Sequence, residues 1–411
     1  MKPLVSLLDH LHYDTEAIRQ SVFRAMECDA LAVSGKSVFV KPSFVYPARP
    51  PRNRGINTQP EVVIGVCQAL RDLGASRILV GEDCLVGPSE NAFVGMGILP
   101  ALRGLAEPVY LQDDQRVEVT VENALVESRF RLPRSLIDAD LFVSLPKLKV
   151  NMYAVVTLSV KNHVGLLLME DRLTNHHYNI HKKIADLFRA RIPDYTITDA
   201  IAAGAGQGPM HAEAVPLGLL IASLNSLAAD AVACHLAGYD PEREVEHLRY
   251  LGEFGLGSLK LADIEVCPAD LLEQRRRILV RPRMSFDDLH NTLRVFIGTE
   301  LACSEGCLGM IRGTLDHWAA GGNLRPLRGL SFIAGRPLPE LPEDLAYRRT
   351  LVIGDCAAPH RHRGTFIPGC PPHPIAITSA LFKKGIWSPI QTRLRDLIIA
   401  TTAHLLGLRV K

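Results

Sequence analysis

Three runs decide how this chain folds: Lys36-Ser37-Val38-Phe39-Val40-Lys41-Pro42, Thr58-Gln59-Pro60-Glu61 and Arg77-Ile78-Leu79-Val80-Gly81-Glu82-Asp83. The first is a short apolar run ending in charge, which reads as a buried strand. Thr58 to Glu61 spells a capping box with proline in the first turn, so a helix is expected to start there. Val62, Val63, Val66, Leu70 and Leu73 fall at helical spacing on one face, and Gly74 is the expected stop. The third run is a second strand. Strand, helix and strand in this order predict a right-handed parallel crossover.

Outward from that unit the pattern recurs. Residues 1–30 read as a helical lead-in, with Ile18, Val22 and Ala25 at helical spacing. Asp140 to Leu145 reads as a strand ending in Pro146-Lys147-Leu148-Lys149. Tyr195 to Asp199 reads as another, followed by Gly204-Ala205-Gly206-Gln207-Gly208-Pro209. That glycine run lacks the lysine and serine or threonine of a phosphate loop and is expected to be a tight turn. Leu217 to Ala222 is a strand leading into a helix over Leu227 to Leu236. Ligands of open α/β sheets sit beyond the carboxyl ends of the strands. Here those ends carry Lys41, Glu82, Asp83, Lys147, Lys149 and Asp199. No glycine-rich fingerprint follows the first strand, which argues against a nicotinamide cofactor.

From about residue 270 the composition changes. Arg275, Arg276, Arg277, Arg281 and Arg283 form a basic connector. Beyond it, strands are expected at Leu293 to Gly298, Leu330 to Ala334 and Leu351 to Gly354. A helical pattern runs from Cys303 to Trp318, and a last helix over Ile390 to Leu406. The expected fold class is therefore α/β: a parallel-sheet, Rossmann-like N-terminal domain over residues 1–270, and a smaller C-terminal α/β domain over 271–411 that carries a cysteine site.

Composition narrows the function. Hydrophobic residues make up 47% and charged residues 22% of the chain, as in ordinary globular proteins. A net charge of +2 argues against a dedicated nucleic-acid binder. No apolar run approaches the length of a membrane span; Ala214 to Ala229 comes nearest and is interrupted by Pro216, Ser223, Asn225 and Ser226. Nine cysteines, an odd number, with charge met early at the N-terminus, point to a reducing cytoplasm.

Four of those cysteines, Cys303, Cys307, Cys356 and Cys370, fall in the last third, while the other five are scattered singly over the first 267 residues. Their C-x3-C, then 48 residues, C-x13-C spacing matches neither a zinc ribbon nor a ferredoxin run. It suits an iron–sulfur cluster held by loops from separate parts of a fold. Gly306 and Gly369 each precede a cysteine, where a missing Cβ lets backbone approach closely. Pro368, Pro371 and Pro372 stiffen the loop around Cys370. His360 and His362, between two of the thiols, keep zinc open as the alternative metal.

The wording Gly354-Asp355-Cys356-Ala357 and Ile367-Pro368-Gly369-Cys370-Pro371-Pro372 resembles the cluster segment of hydrogenase small subunits and the related complex I subunit. The Gly-Gly usual after the first element is absent. This resemblance covers about twenty residues and implies a similar solution to holding a [4Fe-4S] cluster, not membership of that family.

Lysines are the other candidates. Lys147 and Lys149 follow a strand end, and Lys161 interrupts the apolar stretch Val156-Thr157-Leu158-Ser159-Val160-Lys161-Asn162, where charge is costly unless paired. Lysines converging at strand ends would bind a carboxylate or phosphate. His177 and His181 follow closely, spaced to share a helical face, and suit a proton donor or substrate contact better than metal ligation.

Lys41-Pro42, Thr58-x-Pro60-Glu61, Pro146-Lys147-x-Lys149, Thr157-Leu158-x-x-Lys161-Asn162-x-x-Gly165, Asp199 with Gly206-x-Gly208-Pro209, and Ala229-Asp230-Ala231 occur collinearly between residues 36 and 267. They resemble the family named domain of unknown function 362 (DUF362). That resemblance implies an α/β fold, often with iron–sulfur ligands, and no settled activity. Many members carry a ferredoxin-type cysteine run, and the quartet stands in its place here. The family is also faintly similar in fold to nickel-pincer lactate racemases, a likeness that carries no residues over.

The expectation is thus an iron–sulfur oxidoreductase. One [4Fe-4S] cluster would sit on Cys303, Cys307, Cys356 and Cys370, and an anionic small molecule in an interdomain cleft. Lys147 and Lys161 act with His177 or His181, while Lys41, Lys149, Thr157 and Asn162 bind substrate. A ferredoxin-like protein is the expected electron donor and a homodimer the expected assembly. The alternatives are a Lewis-acid lyase if only three cysteines ligate, a non-catalytic electron carrier, or a zinc-stabilised binding protein.

Overall fold

The helix expected after Thr58 is there, but it starts without that residue's help. In the computed structural model, which describes residues 2–45, 47, 51, 53–84, 87–320 and 324–386, it runs Pro60–Asp72 with Gln59 at the cap position and no side-chain cap bond. Thr58 is drawn off to the sheet: its hydroxyl donates to the Leu145 carbonyl at 2.8 Å and accepts from the Ser43 amide at 3.0 Å. Proline in the first turn remains, supplying a preset φ where no amide is needed.

The chain divides into two compact units, Met1–Arg172 with Asn179–Arg283, and Leu173–Tyr178 with Met284–Lys411. The basic connector belongs to the first, where Arg275 pairs with Asp9 at 2.5 Å and Arg281 with Glu244 at 2.5 Å. No helix among the described residues is long and apolar enough to cross a membrane.

The strands of the first unit are β1 (Leu4–Asp9), β2 (Ser37–Pro42), β3 (Arg77–Glu82), β4 (Glu107–Tyr110), β5 (Arg116–Thr120), β6 (Arg129–Pro133), β7 (Leu141–Leu145), β8 (Lys147–Asn151), β9 (Val155–Thr157), β10 (Tyr195–Gln207), β11 (His211–Ser223) and β12 (Glu265–Cys267). Among the described residues, one mixed sheet has the order β12-β1-β11-β10-β7-β2-β3-β4, with β8 paired to β10 and to β9. Strands β2, β3, β4 and β7 pair in parallel, as the crossover predicts. Strands β5 and β6 form a separate antiparallel ribbon.

Both faces of this sheet are covered, which is why its strands read as unbroken apolar runs. In β11, Leu219 and Ile221 pack with helices Ile180–Ala190, Ser226–Leu236 and Glu246–Glu253. Their neighbours Leu220 and Ala222 pack on the opposite face with helices Thr15–Cys28 and Pro60–Asp72. Each fully buried leucine or isoleucine contributes about 1.5–3 kcal/mol. The last two helices meet closely at Gly65, where a Cβ would lie 2.8 Å from Ile18 Cγ2 and 3.0 Å from the Thr15 carbonyl.

Three expectations are corrected here. The lead-in is a strand before it is a helix: β1 pairs antiparallel with β11 and parallel with β12, and the helix begins only at Thr15, capped by Asp14 accepting from the Ala17 amide at 2.8 Å. Lys147 and Lys149 do follow the end of β7 at Leu145, but they lie within a further buried strand, β8, and not in a loop. The glycine run is a turn only at its end: β10 continues through Gly204 to Gln207, paired antiparallel with β11, and the chain turns at Gly208 and Pro209. Small residues are needed there because a Cβ at Gly204 would lie 2.1 Å from the Gly55 carbonyl oxygen.

In the second unit, β13 (Arg294–Ile297), β14 (Ser331–Ala334), β15 (Thr350–Ile353) and β16 (Thr365–Ile367) pair in parallel in sequence order. Helix Gly309–Ala320 follows β13 and its loop. Its buried Arg312 pairs with Asp288 at 2.7 Å and Asp316 at 2.9 Å. The helix expected over Ile390 to Leu406 lies outside the described residues.

Candidate functional site

In the second unit the four late cysteines all follow carboxyl ends of parallel strands. Cys303 and Cys307 bracket the turn after β13, Cys356 follows β15 and Cys370 follows β16. The last two loops are tied together: the Asp355 amide donates to the Gly369 carbonyl at 3.1 Å, and the Gly369 amide donates to Asp355 Oδ1 at 2.9 Å. Glycines let sulfur approach backbone. A Cβ at Gly354, whose φ is +84°, would lie 2.5 Å from Cys307 Sγ, and one at Gly306 would lie 2.5 Å from Cys303 Sγ.

The nine cysteines are free thiols. Burial pushes the Cys307 thiol up to about 12, and Cys303, Cys370 and Cys356 push it the same way. Cys370 is raised by burial and by Cys356 and Cys303. Four thiols that oppose one another's ionisation are stabilised as thiolates by a cationic centre among them. Among the described residues no group of three or more His, Cys, Asp or Glu side chains is placed to hold a metal ion; what the structure gives is thiol chemistry at Cys303, Cys307, Cys356 and Cys370, with missing Cβ atoms beside two of the sulfurs.

The expected pairing of His177 with His181 on one helix face is not what forms. His177 belongs to the second unit, its Cα 3.5 Å from where a Gly306 Cβ would be, beside the Cys303–Cys307 turn. His181 lies in the first unit, on helix Ile180–Ala190.

The lysines converge in the first unit. Lys41, at the end of β2, donates to both Glu82 oxygens at 2.8 Å and to the Pro42 carbonyl at 2.9 Å. Asn162 fixes it, its amide donating to the Lys41 carbonyl at 3.0 Å. Thr157 accepts from Asn151 at 3.3 Å and so supports β8 and β9. Lys147 pairs with Asp199 at 2.9 Å and donates to the Tyr13 hydroxyl at 2.9 Å, which in turn donates to Asp199 at 3.1 Å. Arg172 pairs with Asp83 at 2.6 Å. These are buried, satisfied ion pairs.

Lys149 and Lys161 are different. Lys149 is fully buried and finds only neutral acceptors, Ser43 Oγ at 3.3 Å and the Ile56 carbonyl. Burial, then the charges on Lys161 and Lys147, hold its pKa well below the usual lysine value. Lys161 is half-buried, and among the described residues its ammonium has no acceptor; burial, then Arg172, brings its pKa down to about 8. Asp230 sets this lysine in place by accepting from the Ser159 and Val160 amides at 2.9 Å, capping the short helix Ser159–Asn162. Among the described residues Lys41, Lys147 and Arg172 thus each have a carboxylate partner, and Lys149 and Lys161 have none. A bound anion is what this arrangement can accept.

Replacing Asp199 by asparagine leaves the buried Lys147 ammonium without its counter-ion and is expected to cost about 3–5 kcal/mol. A lowered urea midpoint at unchanged slope is the measurement, and an unchanged midpoint would show that Tyr13 alone suffices.

His247 escaped sequence reasoning. It is fully buried on helix Glu246–Glu253, its Nδ1 3.0 Å from His181 Nδ1, and its Nε2 has no partner among the described residues. Nothing in the local wording marks it, since the contact spans 66 residues.

Residues 38–235 match the family described as Domain of unknown function (DUF362). The chain is 28% identical over 247 residues, 58% of its length and 75% of the other's, to Thylakoid-associated protein sll1697 of Synechocystis sp.. Among solved structures, a Thermotoga maritima protein superposes with a TM-score of 0.38 at 15% identity, over 55% of this chain and 59% of that one. The lactate racemase apoprotein of Thermoanaerobacterium thermosaccharolyticum gives 0.39 at 10% identity, over 58% and 57%. This chain thus spans under two thirds of either solved structure, and at that level of superposition neither speaks to its chemistry. The family match takes in Lys41, Lys147, Lys149, Lys161, Asp199 and Asp230 but not the cysteine quartet, and it supports placing residues 38–235 in the DUF362 family.

Proposed function

We propose that this chain is an iron–sulfur oxidoreductase acting on a small anionic molecule. Cys303, Cys307, Cys356 and Cys370 would hold one [4Fe-4S] cluster, and Lys149 and Lys161 the acidic group of the substrate. The observation that carries this reading is the placement of four cysteines on three loops that follow parallel strands of one sheet, with Gly306 and Gly354 leaving room for the sulfurs of Cys303 and Cys307. A bound cluster supplies one-electron transfer. Lys161 supplies positive charge where no carboxylate answers it. Lys41 and Lys147 are already paired, tying β2 to Glu82 of β3 and β8 to Asp199 of β10. A bare electron carrier has no use for two uncompensated lysines, which favours an enzyme over that alternative.

Anaerobic purification with an absorption spectrum and iron, sulfide and zinc quantification tests the reading. A broad visible band with iron and sulfide in equal amounts is expected. A colourless protein holding one zinc would leave the quartet a structural clamp and remove the redox chemistry.

A further inference from the structure

The buried pair His181–His247 has a defined proton arrangement. The His247 backbone amide donates to His181 Nδ1 at 3.3 Å, so that nitrogen is an acceptor. The Nδ1 of His247, 3.0 Å from the same atom, must then carry the shared proton. The ring planes lie 25° apart, with centroids 5.2 Å apart. This tautomer leaves His247 Nε2 as a lone pair, fully buried and without a hydrogen-bond donor among the described residues. A buried acceptor without a donor is costly, and such orphans in native proteins call for an explanation.

The surroundings narrow what could supply the donor. Helix Ser159–Asn162, with Lys161, and helix Glu246–Glu253, with His247, both pack on helix Ile180–Ala190, which carries His181. Burial, then the charges of His181 and Lys161, hold His247 well below the usual imidazole value, so it stays neutral. Lys161 needs negative charge, while His247 needs a hydrogen-bond donor.

We propose that Lys161 and His247 Nε2 together form a site for an anion that also donates a hydrogen bond through a hydroxyl, with His181 positioning His247. The inference rests on the anion-binding reading of Lys161 and adds a selection rule to it. Lys161 takes the charge of any oxyanion. His247 Nε2 accepts from a hydroxyl and repels an oxygen that bears no proton.

Inorganic phosphate and sulfate separate these properties, because at pH 7 phosphate keeps a hydroxyl and sulfate has none. Calorimetric titration of the full chain should give phosphate affinity at least about 10-fold above that for sulfate. His247→Phe, which keeps a ring against His181 but removes the lone pair, should bring the ratio close to one. His247→Gln, whose amide oxygen restores an acceptor, should recover part of it. Equal binding of both anions by the unsubstituted protein would overturn the inference and leave the anion site standing. Binding of neither would overturn both. A ratio unchanged in His247→Phe would also overturn the inference, and if that variant does not fold, the ratio in the unsubstituted protein decides.

Discussion

Cys307→Ser should empty the cysteine site: iron and sulfide should fall from about four per chain to near background, with loss of the visible band. Among the four, Cys307 is the buried one, and its sulfur occupies the space left by the missing Cβ of Gly354. A serine oxygen there is a harder donor on a shorter bond and does not reach where the sulfur reaches. The other three thiols also act on Cys307, so their convergence passes through it. Cys234→Ser is the control. Cys234 is equally buried but sits in the core of the first unit, on helix Ser226–Leu236. Its replacement should cost stability through an unsatisfied hydroxyl and leave the metal content unchanged. Full iron content and activity in Cys307→Ser would contradict four-thiolate ligation. It would favour three cysteines with an open iron, the arrangement of a Lewis-acid lyase.

What could be read from the sequence was set by how local its cause is. The β2–helix–β3 unit was legible because apolar spacing, Pro60 and Gly74 all act within a few residues. Strand β1 was not: Leu4, Val5, Leu7 and Leu8 put apolar side chains on both sides of the strand because both sheet faces are covered, so no clean alternation marks it. Lysines in β8 read as a strand end because unpaired buried ammonium is so costly, and the carboxylate that pays for Lys147 is 52 residues away by position, at Asp199. The Thr58 cap failed for a similar reason, since the carbonyl that captures its hydroxyl belongs to Leu145, 87 residues on. The four late cysteines drew attention through local signals, Gly306 and Gly369 each preceding a cysteine, and the structure puts all four after strand ends of one sheet; spacing says nothing of the distances between their sulfurs. His177 and His181 misled because spacing assumes one continuous helix, and the helix begins only at Ile180.

Lys161→Met should make the protein more stable and less able to bind anions, a combination that a purely structural lysine does not give. Burial brings the Lys161 pKa from 10.5 down to about 8, so below pH 8 the folded chain holds an ammonium it would rather release. After discounting for the partial exposure of the side chain, that strain amounts to about 1–2 kcal/mol. Methionine keeps the length and apolar contacts of the stem without the charge. Its advantage should be full near pH 7. Between about 8 and 10.5 the unfolded chain holds the proton that the folded chain has lost, so the unsubstituted protein gains stability as pH rises and the advantage shrinks. Binding follows the same titration in the opposite sense. Phosphate affinity should fall as pH climbs through about 8, and in Lys161→Met it should be weaker by about 30- to 100-fold at pH 7, the loss of one charge-assisted contact. Urea unfolding and phosphate titration on the same samples read both effects. A methionine variant that is less stable than the parent, or that binds phosphate as well, would mean that Lys161 has a partner in solution and is no part of a binding site. The opposite result would place stored instability where an anion is needed, the trade commonly found where a residue is kept for binding rather than folding.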